Sequence, residues 1–321
     1  MDLFKYAIVD IGANSVRMII YDIDPVTKEF TPVDSVRNMM GLAAYKEGGA
    51  LSADGAGKLS AIIREYLARA NSYPCDKFSA FATASLRGLS NSAQFIASVK
   101  QRFGIDIDII SGEEEAAYDF DAIRHRFGSE VFPQGVVIDM GGGSTEMIEF
   151  EGEHPKNLVS MNLGCVMLGK KFISNKKRAL FPNENEVRAI CDYTQNTLAE
   201  NESFCGKGEN VYLIGGTGRA IAKLHALMNG ESVKNFDGYT FSAQDIGKIR
   251  SFAENDVQNG APVIRKALSD RMSTIMPGIL AYERIFSFLG SSVATVCASG
   301  VREGYLLRFI NQSFSQRSQE F

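Results

Sequence analysis

Two stretches of the chain share one pattern: AIVDIGANSVRMII at residues 7–20 and VVIDMGGGSTEMIE at residues 136–149. Each contains an apolar strand, an aspartate, a glycine turn, a serine and a second apolar strand, and this order predicts a β-hairpin. The positions that coincide when the aspartates are superposed are Asp10 with Asp139, Gly12 with Gly141, Ser15 with Ser144, Met18 with Met147, and Ile19 with Ile148. A duplicated acidic turn predicts two facing lobes that hold a phosphate and a metal ion between them.

Length and composition predict a globular protein with two domains. The chain has 321 residues, of which 45% are hydrophobic and 22% are charged. This length is more than one compact core needs and suits two domains of ordinary size. The net charge of −4 leaves no basic excess that could neutralise phosphates, which argues against a general nucleic-acid binder.

Cysteine usage and the N-terminal sequence predict a cytoplasmic location. The five cysteines are odd in number and form no CxxC pair, which is typical of reduced thiols; they are Cys75, Cys165, Cys191, Cys205 and Cys297. The sequence MDLFKYAIVD has no basic region followed by a long apolar core, so no signal peptide is expected. No apolar run approaches the ~18 residues of a membrane span, so no membrane partner is expected.

Apolar periodicity predicts strands that alternate with helices, which is typical of an α/β fold. A helix is predicted over residues 52–70, and Asn91 is expected to cap the next helix with its side chain. Residues 242–288 are predicted to be mostly helical, with Ser242 as a cap and a break at Pro277-Gly278.

The two acidic turns carry the residue types that bind phosphate and Mg²⁺. Successive backbone N–H groups of a glycine turn can form an anion-binding concavity, and Ser15, Ser144 and Asn14 can add side-chain donors. Asp10 and Asp139, at the strand ends, are hard oxygen ligands suited to Mg²⁺. Two ordinary hairpins would need neither the shared aspartate nor the shared serine, so the matched register favours a ligand site.

Three further glutamates are candidates for catalysis or metal binding. In SGEEEA at residues 111–116, the glutamates at a helix start also complement the helix dipole. Hydrolysis of a phosphoanhydride needs a carboxylate that deprotonates the attacking water, and spacing does not choose between Glu114 and Glu115. Glu146 follows the second glycine turn, where a solvated surface charge is an equal alternative.

Two other segments could contact phosphate. Arg87 follows a strand that should end where ligands gather in α/β sheets, and a guanidinium can bind phosphate through two hydrogen bonds. LIGGTGRAIAKL at residues 213–224 reads as a strand, a glycine loop and a helix start, which is a possible phosphate or nucleotide site. GCVMLGK at residues 164–170 is not a P-loop, because Lys171 stands where Ser or Thr is required.

These motifs together resemble the exopolyphosphatase and guanosine pentaphosphate phosphohydrolase family, within the actin, sugar-kinase and Hsp70-like superfold. The segments that carry the resemblance are DIGANSVRM (10–18), ATASLRGLSN (82–91), IISGEEEA (109–116), VIDMGGGSTE (137–146), NLGCVML (162–168), IGGTGRAIA (214–222), Pro277-Gly278 and SGVREG (299–304). The resemblance implies two actin-like lobes with mixed sheets flanked by helices and a cleft between them. It implies a first lobe of residues 1–127 plus about 302–321, and a second lobe of residues 128–301.

The resemblance also implies roles for individual residues. Glu115 matches the family's catalytic base, and Asp139 and Glu146 match acidic positions near the metal and the attacking water, with Asp10 as the first metal-binding acid. The residues implied to bind the substrate, together with Ser15, are Asn14, Arg17, Arg87, Gly141, Gly142, Gly143, Ser144, Gly215, Gly216 and Thr217. The family usually has Ser at the position of Ala13 and often has a basic residue at the position of Met167, so two possible contacts are absent here.

The expected function is Mg²⁺-dependent release of the terminal phosphate from polyphosphate or guanosine pentaphosphate, and the resemblance implies a homodimer. The sequence does not choose between these substrates. The alternatives are a sensor that binds guanosine tetra- or pentaphosphate without turnover and a small-molecule kinase of the same superfold.

Overall fold

The structure is a computed structural model that describes residues 3–128, 134–174, 182–201, 208–259 and 262–314. Cys205 lies outside these ranges. Contacts divide the chain into two compact units, Met1–Glu115 with Arg302–Phe321, and Ala116–Val301. This division differs from the predicted lobe limits at residues 116–127, and the predicted limits stay a prediction. Among the described helices, none has both the length and the apolar character needed to cross a membrane.

The first unit is built on a five-stranded sheet. Its elements are β1 (Phe4–Ile11), β2 (Val16–Ile23), β3 (Phe30–Asn38), the short β4 (Lys46–Glu47) and β5 (Ala50–Leu51), α1 (Ala53–Asn71), β6 (Lys77–Ala82), α2 (Ser92–Phe103), β7 (Ile107–Ile109) and the first turn of α3 (Gly112–Phe127). The strand order is β3-β2-β1-β6-β7. The first three strands are antiparallel, whereas β6 lies parallel to β1 and β7 parallel to β6.

The second unit repeats this order in a six-stranded sheet. Its elements are β8 (Gln134–Met140), β9 (Thr145–Glu151), β10 (His154–Met161), α4 (Cys165–Phe172), α5 (Glu184–Ala199), β11 (Asn210–Ile214), α6 (Gly215–Met228), β12 (Thr240–Ser242), α7 (Ile246–Gln258), α8 (Pro262–Ala267), α9 (Ile275–Leu289) and β13 (Val293–Val296). The order is β10-β9-β8-β11-β13-β12. Three antiparallel strands are again followed by two parallel ones. The α/β class predicted from sequence is therefore confirmed.

The last helix, α10 (Val301–Phe314), packs on the sheet of the first unit from Arg302 onward. Its Phe309 ring lies 4.6 Å from the Tyr6 ring, and its Tyr305 ring lies 5.0 Å from the Phe81 ring. The opposite face of this sheet packs on α1 and α2 through a core that includes Val9, Leu59 and Phe95. Helices therefore cover both faces, as expected for a sheet with parallel strands.

One local prediction is wrong, and another holds only in part. Asn91 occupies the N-cap position of α2 as predicted, but its side chain makes no cap hydrogen bond. Instead, its Oδ1 accepts from Leu51 N at 2.9 Å and its Nδ2 donates to Leu51 O at 2.8 Å. The break expected at Pro277-Gly278 does not occur, because α9 begins at Ile275 and continues through both residues. Proline is tolerated in the first turn, where its missing N–H would have had no helical partner. The cap predicted at Ser242 is present, since its side chain accepts from Gln244 N.

Candidate active site

Both predicted hairpins are present, and each turn contains a hydrogen bond at the equivalent position. In the first unit, Gly12 N donates to Ser15 O at 3.0 Å, and in the second unit Gly141 N donates to Ser144 O, also at 3.0 Å. The duplication seen in the sequence is therefore a duplication of backbone geometry as well.

The turn of the second unit is held by the N-terminus of α4. The N–H of Cys165 donates to Gly141 O at 3.1 Å, and those of Val166 and Met167 donate to Gly142 O at 3.1 and 2.9 Å. Helix termini leave such N–H groups without helical partners, and here the turn carbonyls accept from them. The C=O and N–H groups of a trans peptide point in opposite directions. Fixing these two carbonyls on α4 therefore directs the N–H groups of Gly142 and Gly143 away from that helix.

The first unit uses a similar arrangement, in which the two carbonyls held lie one residue further along the turn. The carbonyl of Asn14 accepts from Gly41 N at 2.8 Å, and the carbonyl of Ala13 accepts from Ala43 N at 3.0 Å. These donors lie at the start of a single helical turn, Leu42–Tyr45, that follows β3 as α4 follows β10. Within the described residues, the N–H groups of Gly142 and Gly143 have no hydrogen-bond acceptor. Two neighbouring N–H groups of this kind are suited to bind an anion.

The hairpins differ in the charge that faces the aspartate. In the second unit, Asp139 lies directly opposite Glu146 on the neighbouring strand, so both carboxylates share one face of the sheet. In the first unit, the residue opposite Asp10 is Arg17. Like charges directly opposite each other destabilise a sheet, and a cation removes that cost. The second hairpin therefore fits a metal ion, whereas the first already contains its own positive charge.

The donor atoms of the second hairpin suit Mg²⁺. Glu146 is 1% exposed, and its Oε1 accepts a hydrogen bond from Ser160 Oγ at 2.7 Å, which fixes the orientation of the carboxylate. No group of three or more His, Cys, Asp or Glu side chains is placed to hold a metal ion in the part of the chain that the structure describes. Mg²⁺ is commonly bound by one or two carboxylates and keeps several waters, so the Asp139 and Glu146 pair meets that need.

The glycine loop at the start of α6 lies against the acidic turn. Ile214, at the end of β11, pairs with Asp139, and a Cβ on Gly215 would overlap the Asp139 carboxylate. A Cβ on Gly216 would overlap the guanidinium of Arg271, which lies in a short turn before α9. Sequence reasoning missed Arg271, because nothing in its local pattern indicates this distant contact.

Thr217 was expected to contact the substrate, but its side chain is used inside the protein. The residue is 2% exposed, and its hydroxyl donates to Met140 O at 2.9 Å. Any substrate contact at this position would have to come from the backbone.

Asp10 and Arg17 lie in a charged cluster in the first unit. Asp10 Oδ2 accepts from Arg302 Nη1 at 2.8 Å, so one oxygen of the predicted metal ligand already has a cationic partner. Burial raises the pKa of the Asp10 carboxyl, and the charge of Arg302 offsets part of that rise. Arg17 donates to Ser35 Oγ from Nε and Nη2 at 3.2 and 3.1 Å. Its pKa is lowered by burial and by the charge of Arg302.

Glu114 and Glu115 have different surroundings in the first turn of α3. The carboxylate of Glu114 accepts from Ser111 N at 2.7 Å, and the Ser111 hydroxyl accepts from Glu114 N at 3.0 Å, which is a capping box. Glu115 is 7% exposed, and its Oε2 accepts from Arg87 Nη2 at 2.7 Å. Arg87 is held in turn by a hydrogen bond of 3.1 Å from its Nε to Ile110 O. Of these two glutamates, Glu115 is the one that is both buried and hydrogen-bonded to an arginine.

The fold and these turns are features of α/β proteins that handle phosphate groups at strand ends. A family model described as the Ppx/GppA phosphatase family matches residues 19–313, and the chain belongs to that family.

The chain is also similar to individual curated proteins. Exopolyphosphatase 1 of Mycobacterium tuberculosis (strain ATCC 25618 / H37Rv) is 26% identical over 313 residues, which cover 95% of this chain and 88% of that protein. The guanosine-5'-triphosphate,3'-diphosphate pyrophosphatase of Vibrio cholerae serotype O1 (strain ATCC 39315 / El Tor Inaba N16961) is 34% identical over 162 residues. These cover 50% of this chain and 32% of that protein.

Solved structures support the fold. An exopolyphosphatase from Cytophaga hutchinsonii superposes with a TM-score of 0.84 at 18% identity, covering 96% of this chain and 98% of that chain. The Aquifex aeolicus member of the Ppx/GppA family superposes with a TM-score of 0.77 at 22% identity, covering 97% and 99%. The predictions of the family, the fold class and a hydrolase are confirmed. The roles of individual residues stay predictions.

Proposed function

We propose that this protein is a Mg²⁺-dependent phosphohydrolase that releases the terminal phosphate of inorganic polyphosphate or guanosine pentaphosphate. Family membership and the names of the relatives support the substrate class. The observation that carries the proposal is in the second hairpin. There, Asp139 and Glu146 lie opposite each other beside a turn whose N–H groups are directed away from α4.

Asp139 and Glu146 would hold the metal ion. Glu146 is buried and oriented by Ser160, and the Asp139 carboxylate lies against Gly215, where a Cβ would overlap it. Mg²⁺ bound there would offset the negative charge of the phosphoryl group. The N–H groups of Gly142 and Gly143 would donate to its oxygens and add a fixed, preorganised stabilisation.

Glu115 would act as the general base. Water oxygen attacks the terminal phosphorus, the bond to the bridging oxygen breaks, and the water proton passes to the Glu115 carboxylate. Arg87 Nη2 orients that carboxylate. Arg87 Nη1 has no acceptor among the described residues and could donate to the terminal phosphate. Asn14, Ser15 and Arg17 of the first turn would bind further phosphate oxygens.

The direct test is phosphate release by the purified protein with Mg²⁺ from short polyphosphate, long polyphosphate and guanosine pentaphosphate. Glu115→Gln keeps the size and the Arg87 contact but removes the base, so kcat should fall by about 10²–10⁴-fold. Glu113→Gln is the matched control, because Glu113 is exposed in the same helical turn and should leave kcat unchanged. Full activity of Glu115→Gln would reject the base assignment.

The same assay separates the proposal from its main alternative. If guanosine tetra- or pentaphosphate binds in calorimetry while none of the three substrates releases phosphate, the protein is a sensor and not a hydrolase. Removal of Mg²⁺ by a chelator should abolish release, and added Mg²⁺ should restore it.

We also expect the protein to be a homodimer, and light scattering of the purified protein would measure its oligomeric state.

A further inference from the structure

We propose that Thr217 and Cys165 are positioning residues that hold the acidic turn of the second unit in register with the glycine loop of α6. This inference rests on the proposed function, because it concerns the same Asp139 and the same turn N–H groups. Neither residue is assigned a contact with the substrate or the metal through its side chain.

Thr217 connects the start of α6 to the end of β8. Its hydroxyl donates to Met140 O at 2.9 Å, the carbonyl of the residue directly after Asp139. Its methyl group occupies the space left by Gly278 on α9, where a Cβ would lie 2.6 Å from Thr217 Cγ2. The side chain is therefore fixed by a hydrogen bond on one side and by packing on the other.

Cys165 makes the next connection along the same turn. Its Sγ donates to Gly141 O at 3.4 Å and lies 3.6 Å from the Thr217 hydroxyl. Burial raises the pKa of the Cys165 thiol, so it stays protonated and can donate. The Thr217 side chain of α6 and the Cys165 side chain of α4 therefore contact each other between these two helices.

Together with the N–H groups of α4, these side chains anchor three consecutive carbonyls. Met140 O is held by Thr217, Gly141 O by Cys165, and Gly142 O by the N–H groups of Val166 and Met167. Each carbonyl fixes the direction of the N–H group that follows it. The orientation of the Gly142 and Gly143 N–H groups, and the position of Asp139 one residue before Met140, therefore depend on these anchors.

The test compares two isosteric substitutions that remove the same kind of hydrogen bond. Thr217→Val removes the hydroxyl that holds Met140 O. Thr194→Val is the matched control, because Thr194 is also fully buried and its hydroxyl donates to Ile190 O at 2.8 Å within α5. Thr217→Ser keeps the hydroxyl and should rescue what Thr217→Val loses.

A small displacement of a catalytic group lowers kcat more than it changes KM. We expect Thr217→Val to lower kcat about 10–100-fold and to raise the Mg²⁺ concentration needed for half-maximal rate, with KM for polyphosphate changed less than about threefold. Thr194→Val should leave all three values as in the natural protein. Equal kinetics of Thr217→Val and Thr194→Val would overturn the proposal.

Amide hydrogen exchange gives a readout that does not depend on turnover. Residues 137–146 should exchange faster in Thr217→Val than in the natural protein and should be unaffected in Thr194→Val. If the natural protein shows no phosphate release but this difference is present, the proposed function fails and the positioning role stands. If release is present and the exchange difference is absent, the positioning role fails alone.

A second pair of variants covers the case in which Thr217→Val does not fold. Cys165→Ser keeps a side-chain donor for Gly141 O, whereas Cys165→Ala leaves only the backbone N–H of residue 165 as a donor. Cys165→Ala should lower kcat and accelerate exchange of residues 137–146, with Cys165→Ser nearer to the natural protein. Identical behaviour of the two Cys165 variants would contradict the positioning role.

Discussion

Adjacent glutamates in the first turn of α3 have different hydrogen-bond partners. Sequence reasoning could place Glu114 and Glu115 at a helix start, but it could not separate them, because both fit the same acidic pattern. Which partner each glutamate has depends on which residue caps the helix. With Ser111 as the cap, Glu114 reaches back to the Ser111 backbone, and Glu115 meets Arg87. That second partner lies 28 residues away in the chain, so local pattern could not identify it.

Gly164 is a residue at which a single methyl group should disturb the candidate site. Its φ of −95° suits any residue, but an added Cβ would overlap the backbone of Gly142. We expect Gly164→Ala to lower the free energy of unfolding by about 1–3 kcal/mol, because the turn or α4 must shift. Phosphate release should fall as well, since the turn N–H groups move.

Gly57 supplies the matched control for that substitution. It lies inside α1, and a Cβ there would meet no atom within 4 Å. Gly57→Ala should raise the free energy of unfolding by about 0.5–1 kcal/mol, because alanine loses less conformational entropy in a helix. Urea unfolding measures both variants, and a Gly164→Ala protein as stable as Gly57→Ala would contradict the contact argument.

At the scale of elements, apolar periodicity was sufficient to predict most helices and strands. The helix predicted over residues 52–70 is α1, and the predicted hairpins are β1 with β2 and β8 with β9. The two departures from prediction have different causes. Asn91 binds the backbone of Leu51 in place of its own helix, and the helix through Pro277-Gly278 continues because α9 begins just before them.

The hydrogen bonds from Asn91 to the Leu51 backbone join β5 to the start of α2 and should contribute to the free energy of unfolding. Asn91→Ala would leave the N–H and C=O of the buried Leu51 without their present partner, at a cost of about 1–3 kcal/mol of unfolding free energy. Asn91→Asp keeps only the acceptor and should lose an intermediate amount. Urea unfolding measures the series, and a neutral Asn91→Ala would show that water replaces the side chain without loss.

A second pair of elements, β3 and α1, predicts how stability responds to acid. Asp34 on β3 accepts hydrogen bonds from Arg69 on α1, at 2.5 Å from Nε and 2.8 Å from Nη2. These hydrogen bonds lower the pKa of Asp34 below its ordinary value of 3.8. A carboxyl group whose pKa is lower in the folded state stabilises the fold above the ordinary pKa. That stabilisation is lost as the pH falls toward the folded value.

We therefore expect Asp34→Asn to flatten the loss of stability between about pH 5 and pH 2, measured by urea unfolding at several pH values. The effect should be modest, because Arg69 is about half exposed to solvent. Asp54→Asn removes an exposed ion pair with Lys58 on the same helix and is the control. Parallel pH profiles of Asp34→Asn and the natural protein would contradict this account.

At the scale of the whole molecule, the duplication could be predicted because it repeats along the sequence. Both sheets start with three antiparallel strands followed by two parallel ones, and both turns are held by the helical segment that follows the third strand. The contacts of Arg271 and Arg302 could not be predicted, because they join distant segments. The repeated sequence motif therefore predicts the repeated backbone, whereas the long-range contacts differ between the two copies.

Arg17 and Glu146 occupy equivalent hairpin positions, so the two copies of the motif differ there in the sign of their charge. Two halves that inherit the same scaffold can diverge in polarity through one side chain, without any new loop or strand. A reversal of sign at this one position would then suffice to change which ion a side chain of the turn favours, an anion beside Arg17 or a cation beside Glu146.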